Sequence, residues 1–148
     1  MTAQENKRLA QEAYDAFNRG NIEYFADLGT ADVEVLFVPT GQTFRGREGL
    51  RLFAGGFKQA FPDGQMEVQH QVADDDSVVT ECRFHGTQTG PLPGPGGEIP
   101  PTGRSVDYLV CEVWEVRDGK LARVHNYQDL ATLLQQLGVA PVASEAQR

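Results

Sequence analysis

Apolar residues recur at helical spacing through most of the first 61 positions and then alternate with polar ones over much of the remainder. Leu9, Ala13 and Phe17, with Ala10 and Tyr14 beside them, return at i, i+3 and i+4 and predict an amphipathic helix from about residue 3 to residue 18. Thr2 and Glu5 stand at capping-box spacing before it, and Gly20 stops it. Asn21 then caps a short second helix carrying Ile22, Phe25 and Leu28. The β-rich run from Val33 to Val38 ends at Pro39 and reads as a strand. A third helix follows Gly46, with Leu50, Phe53, Phe57 and Phe61 on one stripe, until Pro62-Asp63 ends it.

From Gln65 the period becomes two. Gln65 to Val72 and Val78 to Thr87 are two strands joined by Asp74-Asp75-Asp76, which fits a hairpin. Val106, Tyr108, Val110, Trp114 and Val116 form the apolar face of a later strand, and Asp118-Gly119 supplies a tight turn into Leu121 to Tyr127. Asp129 opens a last short helix, Leu130 to Leu137, which Gly138 closes. Between the two strand pairs lies Gly90 to Gly103, where five prolines and five glycines predict a loop. It is too short to link two domains of viable size. Helices first and a meander of strands afterwards give an α+β layout, with the helices covering one face of a curved sheet.

Composition narrows the partners. Thirteen Lys and Arg against 21 Asp and Glu leave a formal charge of −8, with no basic cluster, which argues against nucleic acid and against anionic membranes. No segment approaches the roughly 20 apolar residues of a membrane span, and the start lacks an apolar signal core, so a cytoplasmic protein is expected. Cys82 and Cys111 lie in separate strand-like runs without CxxC spacing and read as buried free thiols.

Five short pieces, in this order, resemble the SnoaL-like polyketide cyclase family: Phe57-Lys58-Gln59-Ala60-Phe61-Pro62-Asp63, Gly86-Thr87-Gln88-Thr89-Gly90, Pro100-Pro101-Thr102-Gly103-Arg104, Asp118-Gly119-Lys120, and Asp129 with Leu133-Leu134-Gln135-Gln136-Leu137-Gly138. The resemblance implies the nuclear transport factor 2-like cone: a barrel of strongly curved, mostly antiparallel mixed sheet, three N-terminal helices on its concave face and a short C-terminal helix. One domain would span residues 1–138, with 139–148 a flexible tail. It further implies an internal apolar pocket for a hydrophobic, carbonyl-bearing small molecule, a homodimer or higher homo-oligomer, and acid/base chemistry without metal or cofactor. Gln88 stands where relatives often carry histidine, and the Pro-Gly loop is longer than usual.

An aldol closure needs a base for a proton on carbon and an acid for the carbonyl oxygen, and one carboxylate in an apolar pocket can serve as both. Asp129 matches the family's acid/base position, although an aspartate before a helix is also a good N-cap. His125 would share a strand face with Tyr127 and Asp129 and could hydrogen-bond an enolate, or could be an ordinary surface histidine. Glu112 interrupts the even-numbered apolar set, so strict alternation aims a carboxylate inward unless a β-bulge turns it out. Tyr14, Phe37 and Trp114 are further pocket-lining candidates that could equally be core. His70 and His85 form no metal-ligand pattern. By register, the positions that steroid isomerases of this fold use for base and acid hold about Phe37 and Cys111, which disfavours that activity.

Overall fold

The computed structural model describes residues 2–94 and 96–139. Helix α1 (Ala3–Asn18) opens with the expected capping box, Thr2 Oγ1 accepting from the Glu5 amide and Glu5 Oε1 accepting from the Thr2 amide. Its apolar stripe is buried, and two asparagines fasten it to the sheet. Asn6 Nδ2 donates to the Asp74 carbonyl at 2.9 Å, while Asn18 exchanges hydrogen bonds with both backbone groups of Met66 at 3.0 and 2.7 Å. Helix α2 (Ile22–Asp27) is capped by Asn21, whose Oδ1 accepts from the Tyr24 amide. Strand β1 (Gly29–Phe37) leads through a turn at Gly41 into a short strand β2 (Gln42–Arg45), and α3 (Gly46–Ala60) follows at once.

The long strands are β3 (Gln65–Ala73), β4 (Ser77–Thr87), β7 (Ser105–Arg117) and β8 (Lys120–Gln128). Asp74 makes the β3–β4 turn, its Oδ1 accepting from the amides of Asp76 and Ser77. Asp118 and Gly119 make the β7–β8 turn, both with positive φ, the geometry of a two-residue type I′ hairpin. These strands join β1 and β2 in one open sheet of order β2-β1-β8-β7-β4-β3. All its pairs are antiparallel except β1 with β8, so the sheet is mixed and mostly antiparallel, as expected. Helix α4 (Leu130–Gln136) ends at Gly138, whose φ of 74° is the left-handed conformation of a glycine C-cap.

Three details differ from the sequence reading. Strand β2 is polar and short, with no alternation to announce it. The Pro-Gly segment holds a small hairpin, β5 (Leu92–Gly94) and β6 (Gly97–Ile99), which buries Leu92 and Ile99. Cys82 is buried, but Cys111, of opposite parity, is only partly so; both are free thiols.

Proline-rich backbone has few N–H groups with which to satisfy its own carbonyls. Gln88 supplies the missing partners. Its Nε2 lies 3.1 to 3.2 Å from the carbonyls of Gly90, Ile99 and Pro100, and its Oε1 accepts from the amide and hydroxyl of Thr102 at 3.1 and 2.7 Å. The side chain is fully buried, so this departure from the family pattern is a clamp on the loop. Of the expected tail, Val139 packs against the core and residues 140–148 lie outside the described residues. Among the described residues no helix is long and apolar enough to cross a membrane.

Candidate active site

Every even-numbered residue of β7 from Val106 to Val116 faces the helices, and Glu112 is among them at 5% exposure. The bulge that could have turned it outward is absent there: Glu112 is in register with Thr80 on β4 and Asn126 on β8, and the β7–β8 register slips only beyond Glu115. Three donors converge on its carboxyl group. Tyr14 Oη donates to Oε1 at 2.7 Å, Trp114 Nε1 to Oε1 at 3.2 Å, and Asn126 Nδ2 to Oε2 at 2.7 Å. Tyr14 arrives on the α1 stripe, held in place by Asn6 and Asn18 at the two ends of that helix, and its ring lies 5.2 Å from that of Trp114.

Burial pushes the Glu112 carboxyl above its ordinary range, against the opposing pull of the hydrogen bonds from Asn126, Tyr14 and Trp114. Burial likewise raises Tyr14 well above a free phenol, which keeps it a neutral donor. The Cys82 thiol, pushed up to about 12 by burial and by the Glu112 carboxylate, is no nucleophile at neutral pH. A carboxylate offers about four acceptor directions. Three are filled here, which leaves one on Oε2. Asn126, at 2% exposure, retains an unpartnered Oδ1 among the described residues.

Glu112 and Asn126 line a cavity of about 40 Å³ between sheet and helices, otherwise walled chiefly by Phe17, Phe53, Phe57 and Phe84. Gln128 is on the same wall. Its Oε1 accepts from Tyr108 Oη at 2.9 Å, a contact that does not engage its amide nitrogen. Sequence reasoning found Tyr14, Glu112 and Trp114 and missed Asn126, Gln128 and Tyr108. The available signal was parity, since Asn126 and Gln128 continue the inward set of Val124 on β8.

Asp129, His125 and Tyr127 stand elsewhere. On β8, Ala122 is an extra residue between the pairs Glu115–Arg123 and Val116–Leu121, so the inward set changes from Leu121 to Val124 and Asn126. His125 and Tyr127 therefore lie on the opposite face from the cavity, with Tyr127 44% exposed. Asp129 is exposed and spends its carboxylate on the helix cap: Oδ1 accepts from the Thr132 amide at 3.0 Å and Oδ2 from the Thr132 hydroxyl at 2.5 Å. Those bonds hold its pKa below the ordinary value, the reverse of what an acid/base group in an apolar pocket requires. Phe37 is partly buried and lines two outer clefts, not the inner cavity. Cys111 points away from the cavity by one residue of alternation, and the inward-facing neighbour is Glu112.

A sequence profile of the SnoaL-like polyketide cyclase family matches residues 8–137. Comparison with curated proteins yields no match. Among solved structures, a candidate SnoaL-like polyketide cyclase from Jannaschia sp. CCS1 superposes with a TM-score of 0.83 at 22% identity, over 95% of this chain and 96% of that one. IdmH, a candidate polyketide cyclase from Streptomyces antibioticus, gives 0.74 at 30% identity over 90% and 99%. A protein with a ketosteroid isomerase-like fold from Catenulispora acidiphila gives 0.74 at 17% identity over 89% and 93%. With the profile covering most of the chain and the same α+β architecture in these relatives, the chain belongs to the SnoaL-like polyketide cyclase family.

Proposed function

We propose that this protein is an acid/base enzyme that enolises a hydrophobic, carbonyl-bearing small molecule, the step shared by aldol cyclisation and double-bond isomerisation. The observation that carries this reading is the buried Glu112 carboxyl in an apolar cavity, with one acceptor direction of Oε2 uncommitted. In the proposed step the C–H bond next to the carbonyl breaks, its proton goes to Oε2, and the electron pair moves onto the carbonyl oxygen. Gln128, on the cavity wall, would donate from its amide nitrogen to that oxygen. Asn126 assists in a second way. Once Oε2 carries a proton, turning the Asn126 amide over lets its unpartnered Oδ1 accept that O–H and presents Nδ2 to the enolate. Return of the proton to another carbon completes an isomerisation, and attack of the enolate on a second carbonyl completes an aldol closure. Proton acceptor and oxygen donors are all side chains, so the chemistry calls for no cofactor.

A second reading is binding without catalysis, favoured by the two donors that already occupy Oε1. Exchange of the α-hydrogens of 2-tetralone for deuterium, followed by proton NMR, separates the two. Wild-type protein is expected to accelerate exchange above buffer, with a rate that rises with pH through a limb above the ordinary carboxylate range, because only ionised Glu112 accepts the proton. Asp129→Asn should leave this rate and, since asparagine caps about as well as aspartate, the Tm essentially unchanged. No acceleration over buffer across the pH range would leave the binding reading standing.

A further inference from the structure

The inner cavity is too small for the ligand its chemistry calls for. At about 40 Å³ it has room for roughly three waters, or the few heavy atoms of one reacting group. Two larger clefts adjoin it. One, of about 300 Å³, lies under the β5–β6 hairpin between Leu92, Pro93 and the α4 residues Leu130, Leu133 and Leu134. The other, of about 130 Å³, opens beside Phe44 and Leu52. Among the described residues, Phe57 is the one side chain that lines all three spaces. Its ring lies 5.6 Å from that of Phe53, 6.2 Å from Phe37 and 6.3 Å from Phe84, in tilted or edge contacts.

The backbone beside it points the same way. Gly55 and Gly56 precede Phe57 inside α3, where each glycine disfavours helix relative to alanine. Packing does not demand them: a Cβ at Gly56 would meet nothing within 4 Å, and one at Gly55 would only touch Ile22 at 3.8 Å. A glycine pair is a common place for a helix to bend. Here it stands at the turn that carries the dividing ring.

We infer that Phe57 is a gate, hinged at Gly55-Gly56, that joins the inner cavity and the outer cleft into one elongated site, so that the ligand is a long, largely apolar molecule with its carbonyl end at Glu112 and its tail under the Pro-Gly hairpin. The identity of the inner end rests on the function proposed above; the gate itself does not. The hairpin roof thereby acquires a role, with Gln88 setting its rigidity.

The test uses 2-butanone, 2-octanone and 2-dodecanone as probes. Trp114 is the only tryptophan, so its indole N–H signal reports on the inner end, and the amides of Leu92 and Gly94 report on the cleft. 2-Dodecanone is expected to shift both sets and to bind at least tenfold more tightly than 2-butanone. In stopped-flow quenching of Trp114, Phe57→Ala, with Phe57→Leu as a milder second variant, should speed association at least tenfold, and Gly55→Ala/Gly56→Ala should slow it while raising Tm. Cleft amides that shift while the Trp114 signal stays fixed, in wild type and in Phe57→Ala, would mean two separate pockets and overturn the inference. Association rates unchanged in all of these variants would remove the gate, and no shift at either end with any ketone would remove the ligand class. Because these readouts need no turnover, two-ended binding by the wild-type protein without α-proton exchange would sink the proposed catalysis alone.

Discussion

Replacing Glu112 by glutamine is expected to lower 2-tetralone exchange at least about 100-fold, to near the buffer rate, while making the protein more stable at neutral pH. Both effects have one cause. The carboxyl is buried and its pKa is raised by burial, so the folded protein resists an ionisation that the unfolded chain undergoes freely near pH 4.5. The carboxyl's stability is fully present below the unfolded pKa, falls as pH rises from there, and is lost once pH passes the folded pKa. Each unit between the two values costs about 1.4 kcal/mol. Glutamine never ionises. Its oxygen can still accept from Tyr14 and Trp114, and its amide can donate to Asn126 Oδ1 once that side chain turns over, which gives a buried orphan a partner. Thermal unfolding should show the variant above wild type by about 3 °C per kcal/mol at pH 7, with the difference vanishing below about pH 4. A variant less stable than wild type at pH 7 would mean that Glu112 holds the fold together as a charged group.

The second large effect lies in the loop. Gln88→Ala is expected to cost about 3 kcal/mol, a fall in Tm of roughly 10 °C. The substitution removes the hydrogen bonds that Gln88 makes to the carbonyls of Gly90, Ile99 and Pro100 and to the amide of Thr102, and leaves a void where its fully buried side chain stood. The loss should be local first. In native-state amide exchange, Thr102 and Gly103 should lose protection while Val110, in the centre of β7, keeps it. Loop amides that exchange as slowly as in wild type would show that the hairpin is held by its own contacts, such as the burial of Leu92 and Ile99.

How far these sites could be read in the sequence follows from how local their causes are. The order of helices and long strands was legible because Leu50, Phe53, Phe57 and the even set of β7 carry their periods over many residues. Glu112 was legible for the same reason, as the polar member of an apolar series, and only the inter-strand register could show that no bulge turns it away. Asp129 was ambiguous because N-cap and acid/base group call for the same residue; burial decides between them, and burial is a tertiary property. His125 and Tyr127 were placed by the strand face they share with Asp129, and that face is the one turned away from the cavity. Gln88 went unread as a clamp because its partners lie up to 14 positions away in a segment that composition describes only as irregular.

The account depends on a carboxyl group that is buried, protonatable and in contact with the cavity. A carbon-13 titration of the side-chain carboxyls in protein labelled at glutamate, with the Glu112 signal assigned by its loss in Glu112→Gln, measures that directly. The Glu112 signal is expected to titrate above the ordinary glutamate value of about 4.5 and to move when 2-tetralone is added. A Glu112 carboxyl that titrates at or below 4.5 and does not respond to the ketone would contradict the account.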